Sequence, residues 1–284
     1  MIEVTGLTVR FAGVTPIDDM SVVFPGGTCG LIGPNGAGKT TFFNVLSGFV
    51  KPAAGSITAF GQNLLKLSDY KRARWGLRRT FQTEMAVEQL TVFENVALIH
   101  EHSGAKRSTR RDDVLRAIEF VGLTAPPTAK VGGLGARERR LVEVARAVVG
   151  RPRVVLLDEP AAGLPDEETV HLASVIQKIP TEVGALVILV DHDMSLVSAC
   201  CETTAVVDFG KLVASGPTAD VLRDEHVMRA YLGTETPLDE PEPEPLLSDF
   251  VPVSDFVSDF SPFSGFGESP PAFGRLAPLR LSFL

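Results

Sequence analysis

The sequence lacks the features that would carry it into a membrane, onto nucleic acid or around a structural metal. Its longest apolar runs, such as residues 185–190, fall far short of the ~20 residues that a membrane span requires. The start has no basic segment followed by an apolar stretch, so no secretory signal is expected. Cysteine is scarce: Cys29, Cys200 and Cys201 form no metal-binding spacing and two of them are adjacent. They are expected to be reduced, mostly buried thiols of a cytosolic protein. Positive charge is not in excess either. The net charge is −8, and residues 237–284 hold eight acidic residues against two basic ones, which leaves the remaining body at −2. Without a broad basic surface, nucleic acid is excluded as the main partner.

What is present divides the chain in two. Residues 1–235 alternate strand and helix patterns, as expected of an α/β sheet covered by helices. Ile2, Val4, Val9 and Phe11 alternate at the start as a strand does. Further apolar strands are read at Thr28–Ile32, Val154–Asp158, 185–191 and 204–209, with helices after the first three starting near Lys39, Asp166 and Asp193. A mainly helical insert occupies about residues 83–150. Within it, Thr91-Val92-Phe93-Glu94 has the form of a capping box, and a helix over 111–121 is expected to end at Gly122. The pattern stops near 236. Nine of the 20 prolines and seven phenylalanines lie in residues 237–284, with Ser-Asp-Phe repeated three times at 248–250, 254–256 and 258–260. Prolines and charge predict a disordered tail over 236–284. Its phenylalanines are either incidental to an inert extension or anchors for a partner groove.

Gly33-Pro34-Asn35-Gly36-Ala37-Gly38-Lys39-Thr40 matches G-x-x-x-x-G-K-[ST] in full, with an apolar strand before it and a helix after. Glycines let backbone N–H groups turn inward around phosphates, and the helix N-terminus adds its positive dipole. Lys39 would neutralise β- and γ-phosphates and Thr40 would hold Mg²⁺. The loop by itself predicts only a bound nucleoside triphosphate.

Val154-Val155-Leu156-Leu157-Asp158-Glu159-Pro160 is an apolar strand ending in two carboxylates. Asp158 at the strand end is placed to reach Mg²⁺ through a coordinated water. Glu159 points elsewhere and can polarise an attacking water as general base. His192 follows another apolar strand, at an edge where such sheets present ligands, so a γ-phosphate contact fits it. Gln82, between a strand and the helical insert, carries no signal beyond its polarity.

Together these pieces resemble the nucleotide-binding subunit of ATP-binding-cassette (ABC) transporters, over residues 1 to about 235. The resemblance implies a phosphate-loop NTPase core with an antiparallel β subdomain and an inserted helical subdomain. It makes Gln82 the loop glutamine that senses Mg²⁺ and water, His192 the switch histidine and Glu159 the catalytic base. It adds Thr41 to the ATP-binding residues and makes Phe11 the aromatic that stacks on adenine. Finer details resemble the ATPases of branched-chain amino acid uptake: Phe42-Phe43-Asn44-Val45-Leu46-Ser47-Gly48-Phe49, Arg78-Arg79-Thr80-Phe81-Gln82, Leu90-Thr91-Val92-Phe93-Glu94-Asn95-Val96, Asp191-His192-Asp193-Met194 and Ala230-Tyr231-Leu232-Gly233. Implied partners are membrane permease subunits, a second ATPase subunit and, indirectly, an extracytoplasmic solute-binding protein. The implied location is the cytoplasmic face of the membrane. Branched-chain or related amino acids, urea or short amides are the implied cargo, chosen by other subunits.

One motif departs from the family. Its signature, Leu-Ser-Gly-Gly-Gln or close to it, falls here on Leu134-Gly135-Ala136-Arg137-Glu138. In the family two ATPase subunits pair head to tail, and the signature of one closes the ATP site of the other. Gly135 and Arg137 therefore imply an unequal heterodimer in which the site this chain completes on its partner is the weak one. Leu164-Pro165-Asp166 also departs from the usual loop after the Asp-Glu pair. A lipid or lipopolysaccharide export ATPase, and a regulatory nucleotide-binding module with little turnover, are the alternative readings. Glu159 and His192 weigh against the second.

Overall fold

Two burial patterns sort the strands into two sheets. In the computed structural model, which describes residues 1–224 and 227, strands β1 (Ile2–Phe11) and β2 (Val14–Phe24) bury roughly every other side chain. Strands β3 (Thr28–Ile32), β7 (Val154–Asp158) and β8 (Leu186–Val190) are buried at every position. The first pattern suits a sheet with one covered face, the second a parallel sheet packed on both faces. Accordingly β1 and β2 join β4 (Ala54–Ala59) and β5 (Gln62–Asn63) in an antiparallel sheet of order β2-β1-β4-β5. Strand β3 joins β6 (Leu77–Arg79), β7, β8, β9 (Thr203–Asp208) and β10 (Lys211–Pro217) in order β10-β9-β3-β8-β7-β6. That second sheet is parallel apart from its β10 edge.

The parallel sheet divides two cores. On β7, Val155 and Leu157 face the helices while Val154 and Leu156 face the antiparallel sheet; on β8, Val187 and Leu189 part from Leu186 and Ile188 in the same way. The helical side is closed by α3 (Val92–His102), α4 (Arg110–Phe120), α5 (Ala136–Val148), α6 (Asp166–Lys178) and α7 (Met194–Cys200). The first helix, α1 (Lys39–Ser47), lies in the other core between the sheets. The expected antiparallel subdomain and the expected helical insert are both present. The tail over 236–284 and the Ala230–Gly233 tetrapeptide, read from sequence, lie outside the described residues.

Local chemistry sets the helix ends. Glycines at left-handed φ flank α1, Gly38 at 103° and Gly48 at 91°. The expected capping box forms at α3: Thr91 Oγ1 accepts from the Glu94 N–H at 3.1 Å and Glu94 Oε2 accepts from the Thr91 N–H at 2.8 Å. Helix α4 stops just before Gly122, whose φ is 69°. From α2 (Asp69–Trp75), buried Arg72 donates to the carbonyls of Val45 and Leu46 in the last turn of α1, and to Leu67 O at 3.1 Å. All three cysteines are buried and free, and burial pushes the Cys200 thiol up to about 12. Among the described residues no helix is long and apolar enough to cross a membrane.

Candidate functional site

The phosphate loop lies between β3 and α1, where only glycine fits at two of its positions. A side-chain carbon on Gly33, at φ 154°, would lie 2.0 Å from Val207 O. One on Gly38, at φ 103°, would lie 2.3 Å from Pro16 O. The loop is thus wedged between β9 and the hairpin of β1 and β2, and the Gly210 N–H pins it further by donating to Ala37 O at 3.0 Å. Lys39 folds back across it, its Nζ donating to Gly33 O at 2.5 Å and Pro34 O at 2.9 Å. Burial pushes the Lys39 ammonium below its usual range, and the charges of Glu159 and Asp158 oppose that shift. Asn35, Gly36 and Thr40 are exposed, Pro34 and Thr41 half-buried and Ala37 buried.

Two successive carboxylates end β7 and point apart. Glu159 takes a left-handed φ of 49°, which ends the strand, and its N–H donates to Val190 O at 2.7 Å. Its Oε1 then receives Gln82 Nε2 at 2.7 Å and lies 3.1 Å from His192 Nε2. Gln82, Glu159 and His192, read from three separate segments, converge on one oxygen. The His192 side chain remains 42% exposed, open to a ligand.

Asp158 faces inward. Its N–H donates to Thr80 Oγ1 at 3.0 Å, and its Oδ2 receives Arg79 Nη2 at 2.7 Å. Its Oδ1 is buried without a hydrogen-bond partner. Burial pushes the Asp158 carboxyl up, opposed first by the hydrogen bond and charge of Arg79. Asp191, also buried, ties two loops together, Oδ2 accepting from the Ala161 N–H at 3.2 Å and Oδ1 from the Asp193 N–H at 3.0 Å. Its carboxyl too is raised by burial.

These residues fit a divalent cation that arrives with phosphates. No group of three or more His, Cys, Asp or Glu side chains among the described residues could cage a metal alone. A hard cation here needs phosphate and water oxygens beside the orphaned Asp158 oxygen and the exposed Thr40 hydroxyl, which is the sparse protein coordination Mg²⁺ favours.

The remaining sequence-derived residues take other positions. Phe11 is 50% exposed on β1, opposite Val14, on the hairpin that meets the phosphate loop at Pro16. Leu134 and Gly135 lead into α5, with Gly135 as N-cap; as a glycine it offers no side-chain oxygen to the helix's free N–H groups. Ala136 opens the helix, Arg137 is half-buried, and Glu138 turns back to accept from Thr124 Oγ1 at 2.6 Å and the Ala125 N–H at 3.0 Å. The signature segment joins none of the contacts around Glu159. Its helix does reach the loop beyond, through Arg140 Nη2 to Ala162 O at 3.3 Å. Sequence reasoning gave no role to Arg79, Thr80 or Asp191. For Arg79 a signal was there, because a charged residue ending a strand beside the fully buried β7 needs a counter-charge.

Comparison with known proteins gives the family and the fold. The sequence pattern of the ABC transporter family matches residues 18–162. The high-affinity branched-chain amino acid transport ATP-binding protein BraF of Pseudomonas aeruginosa is 36% identical over 249 residues, covering 82% of this chain and 98% of the relative. LivG of Escherichia coli K12, named for the same transport role, is 34% identical with the same coverage of both chains. Among solved structures, the ADP conformation of an ATP-binding cassette of an ABC transporter superposes with a TM-score of 0.74 at 23% identity, covering 82% of this chain and 99% of that one.

Proposed function

The chain belongs to the ABC transporter family, as an ATPase of that type, and from this premise we propose that it powers an importer of branched-chain or related amino acids. The convergence of Gln82 and His192 on Glu159 Oε1 carries the hydrolytic part of this reading. Similarity to BraF and LivG along nearly their whole length supports the cargo class. ABC ATPase subunits of importers work with membrane permease components. The proposed partners are accordingly membrane permease subunits, a second ATPase chain and, through the permeases, a solute-binding protein, with this chain at the cytoplasmic face of the membrane. The division into a nucleotide-binding body over 1–235 and a tail over 236–284 belongs to the same proposal.

The residues divide the chemistry. Lys39 exchanges its two loop carbonyls for β- and γ-phosphate oxygens, and the N–H groups of residues 36–41 close around them. Phe11, half exposed beside the loop, stacks on adenine. Mg²⁺, bound with ATP near Thr40, Gln82 and Asp158, would neutralise charge on the phosphates. Glu159 takes the proton of the attacking water as its oxygen bonds to γ-phosphorus and the bond to ADP breaks. Gln82 holds that water in line, and His192 contacts the γ-phosphate while fixing the Glu159 carboxylate. Gly135 and Arg137 make the composite site on the partner chain the weaker of two. Reconstitution with permeases in vesicles tests this reading: leucine, isoleucine or valine should stimulate hydrolysis. Stimulation by a lipid instead would favour an exporter, and no stimulation by any solute would contradict the transport assignment.

A further inference from the structure

Arg79 is a buried guanidinium at the end of β6, its side chain 5% exposed. It makes two directed bonds: Nη2 to Asp158 Oδ2 at 2.7 Å, and Nη1 to Asn44 Oδ1, also at 2.7 Å. It also lies against two rings, 5.4 Å from the centroid of Phe43 and 4.8 Å from that of Phe81. Arg79 thereby ties together α1, which begins at Lys39; β7, which ends at Asp158; and the segment running into Gln82. A guanidinium suits this junction because its rigid fork satisfies two acceptors in fixed directions while its faces pack on aromatics.

The bond to Asp158 is one-sided. Arg79 occupies Oδ2 and leaves Oδ1 buried and unpartnered. A buried charged carboxylate keeps its orientation only while its counter-charge holds it. The other cation whose charge it feels is Lys39, which the phosphates require.

The geometry points to Arg79 as a positioning residue that fixes the Asp158 carboxylate with one oxygen held and the other presented to the Mg²⁺ side of the nucleotide. Arg79 acts through Asp158, holding that carboxylate toward the nucleotide side and away from Lys39. This rests on the reading of Asp158 as the metal-side carboxylate.

The test is binding of a fluorescent ATP analogue to the purified full chain, titrated with Mg²⁺ and repeated without it, beside thermal melting of the free protein. Arg79→Gln should raise the Mg²⁺ needed for half-maximal binding by about 10–100-fold, the range typical of residues that orient a metal's ligands. Arg79→Lys keeps the charge but loses the fork, and should fall between wild type and Arg79→Gln. In an Asp158→Asn background, Arg79→Gln should add less than about twofold, since residues that act through one another do not act additively. An unchanged Mg²⁺ requirement in Arg79→Gln, or losses that multiply with Asp158→Asn, would overturn the assignment. If Arg79→Gln does not fold, Arg79→Lys decides alone, and a wild-type Mg²⁺ requirement there would overturn it. A wild-type requirement in Asp158→Asn would instead remove the reading of Asp158, and the role of Arg79 with it.

Discussion

Gln82 and Glu159 are 77 residues apart in sequence, yet the amide of one donates to the carboxylate of the other at 2.7 Å. His192 Nε2 shares the same acceptor oxygen at 3.1 Å. The carboxylate proposed as the general base therefore has its orientation set from two sides, by groups that follow β6 and β8 at one end of the parallel sheet. Glu159→Gln keeps the shape and removes the proton acceptor. It should lower ATP turnover by about 10²–10⁴-fold while ATP remains bound, read by phosphate release beside nucleotide retention. Full turnover in this variant would assign the base to another residue.

His192→Ala removes one of the two groups that orient Glu159 and the proposed γ-phosphate contact, but leaves the proposed base in place. Turnover should drop while ATP affinity stays within a few-fold of wild type, as expected when an interaction belongs to the transition state. Steady-state kinetics with an equilibrium binding measurement separate the two effects. A loss confined to affinity would make His192 a binding group only.

Gly38→Ala places a side-chain carbon 2.3 Å from Pro16 O at a φ of 103°. The hairpin or the loop must yield, so the variant should lose about 1–3 kcal/mol of stability in urea denaturation and bind ATP weakly. Gly36, equally left-handed, has nothing within 4 Å of an added carbon, so Gly36→Ala should disturb packing less.

Gly135 offers an opposite experiment. Its backbone already has the extended N-cap geometry, φ −69° and ψ 166°, and a side-chain carbon there meets nothing within 4 Å. Gly135→Ser should stabilise α5 by a few tenths of a kcal/mol. In the assembled transporter it should raise turnover at the composite site to which the segment contributes. Site-resolved nucleotide trapping reads this, and unchanged trapping would contradict the proposal that Gly135 weakens that site.

Asp193 caps α7, accepting from the N–H groups of Ser195 at 2.8 Å and Leu196 at 3.3 Å. The Ser195 hydroxyl first, and then these N–H groups, hold its carboxyl below the usual range. Because the folded value is the lower one, its stabilisation is complete above the ordinary carboxylate pKa of ~3.9 and disappears as pH falls through the folded value. Asp193→Ala should cost about 1 kcal/mol at neutral pH, and the difference from wild type should shrink in acid. Denaturation at several pH values measures it.

Much of this was legible from the chain. Strands Thr28–Ile32 and Val154–Asp158 and the starts of α1 and α6 fall where the apolar runs and turn residues put them, since full burial leaves a continuous apolar signal. Strand β8 is one residue shorter at each end than read and β9 is shifted back by one, because β8 ends where it pairs with β3 and β7, and β9 where it pairs with β3 and β10, which the sequence does not display. Lys39, Asp158 and Glu159 were legible because their motifs are local. Gln82 was not, except through family resemblance, as its meaning comes from an oxygen 77 residues away. Thr80 and Asp191 were missed for the same reason, each acting through a neighbour brought to it by the fold, and for Arg79 the need for a counter-charge was legible but its partner Asp158 was not.

The arginine of α2 at the far end of α1 has a consequence for the nucleotide. A helix draws phosphate to its first turn because its peptide dipoles add up, and that addition leaves an equal negative pole at its last carbonyls. Arg72 places a buried cation against that pole, bonding Val45 O and Leu46 O. The α1 helix thus acts as an electrode grounded at one end, with its live terminal turned to the phosphate loop. Arg72→Met would unground it, and the anion affinity of the opposite end would be the quantity to change.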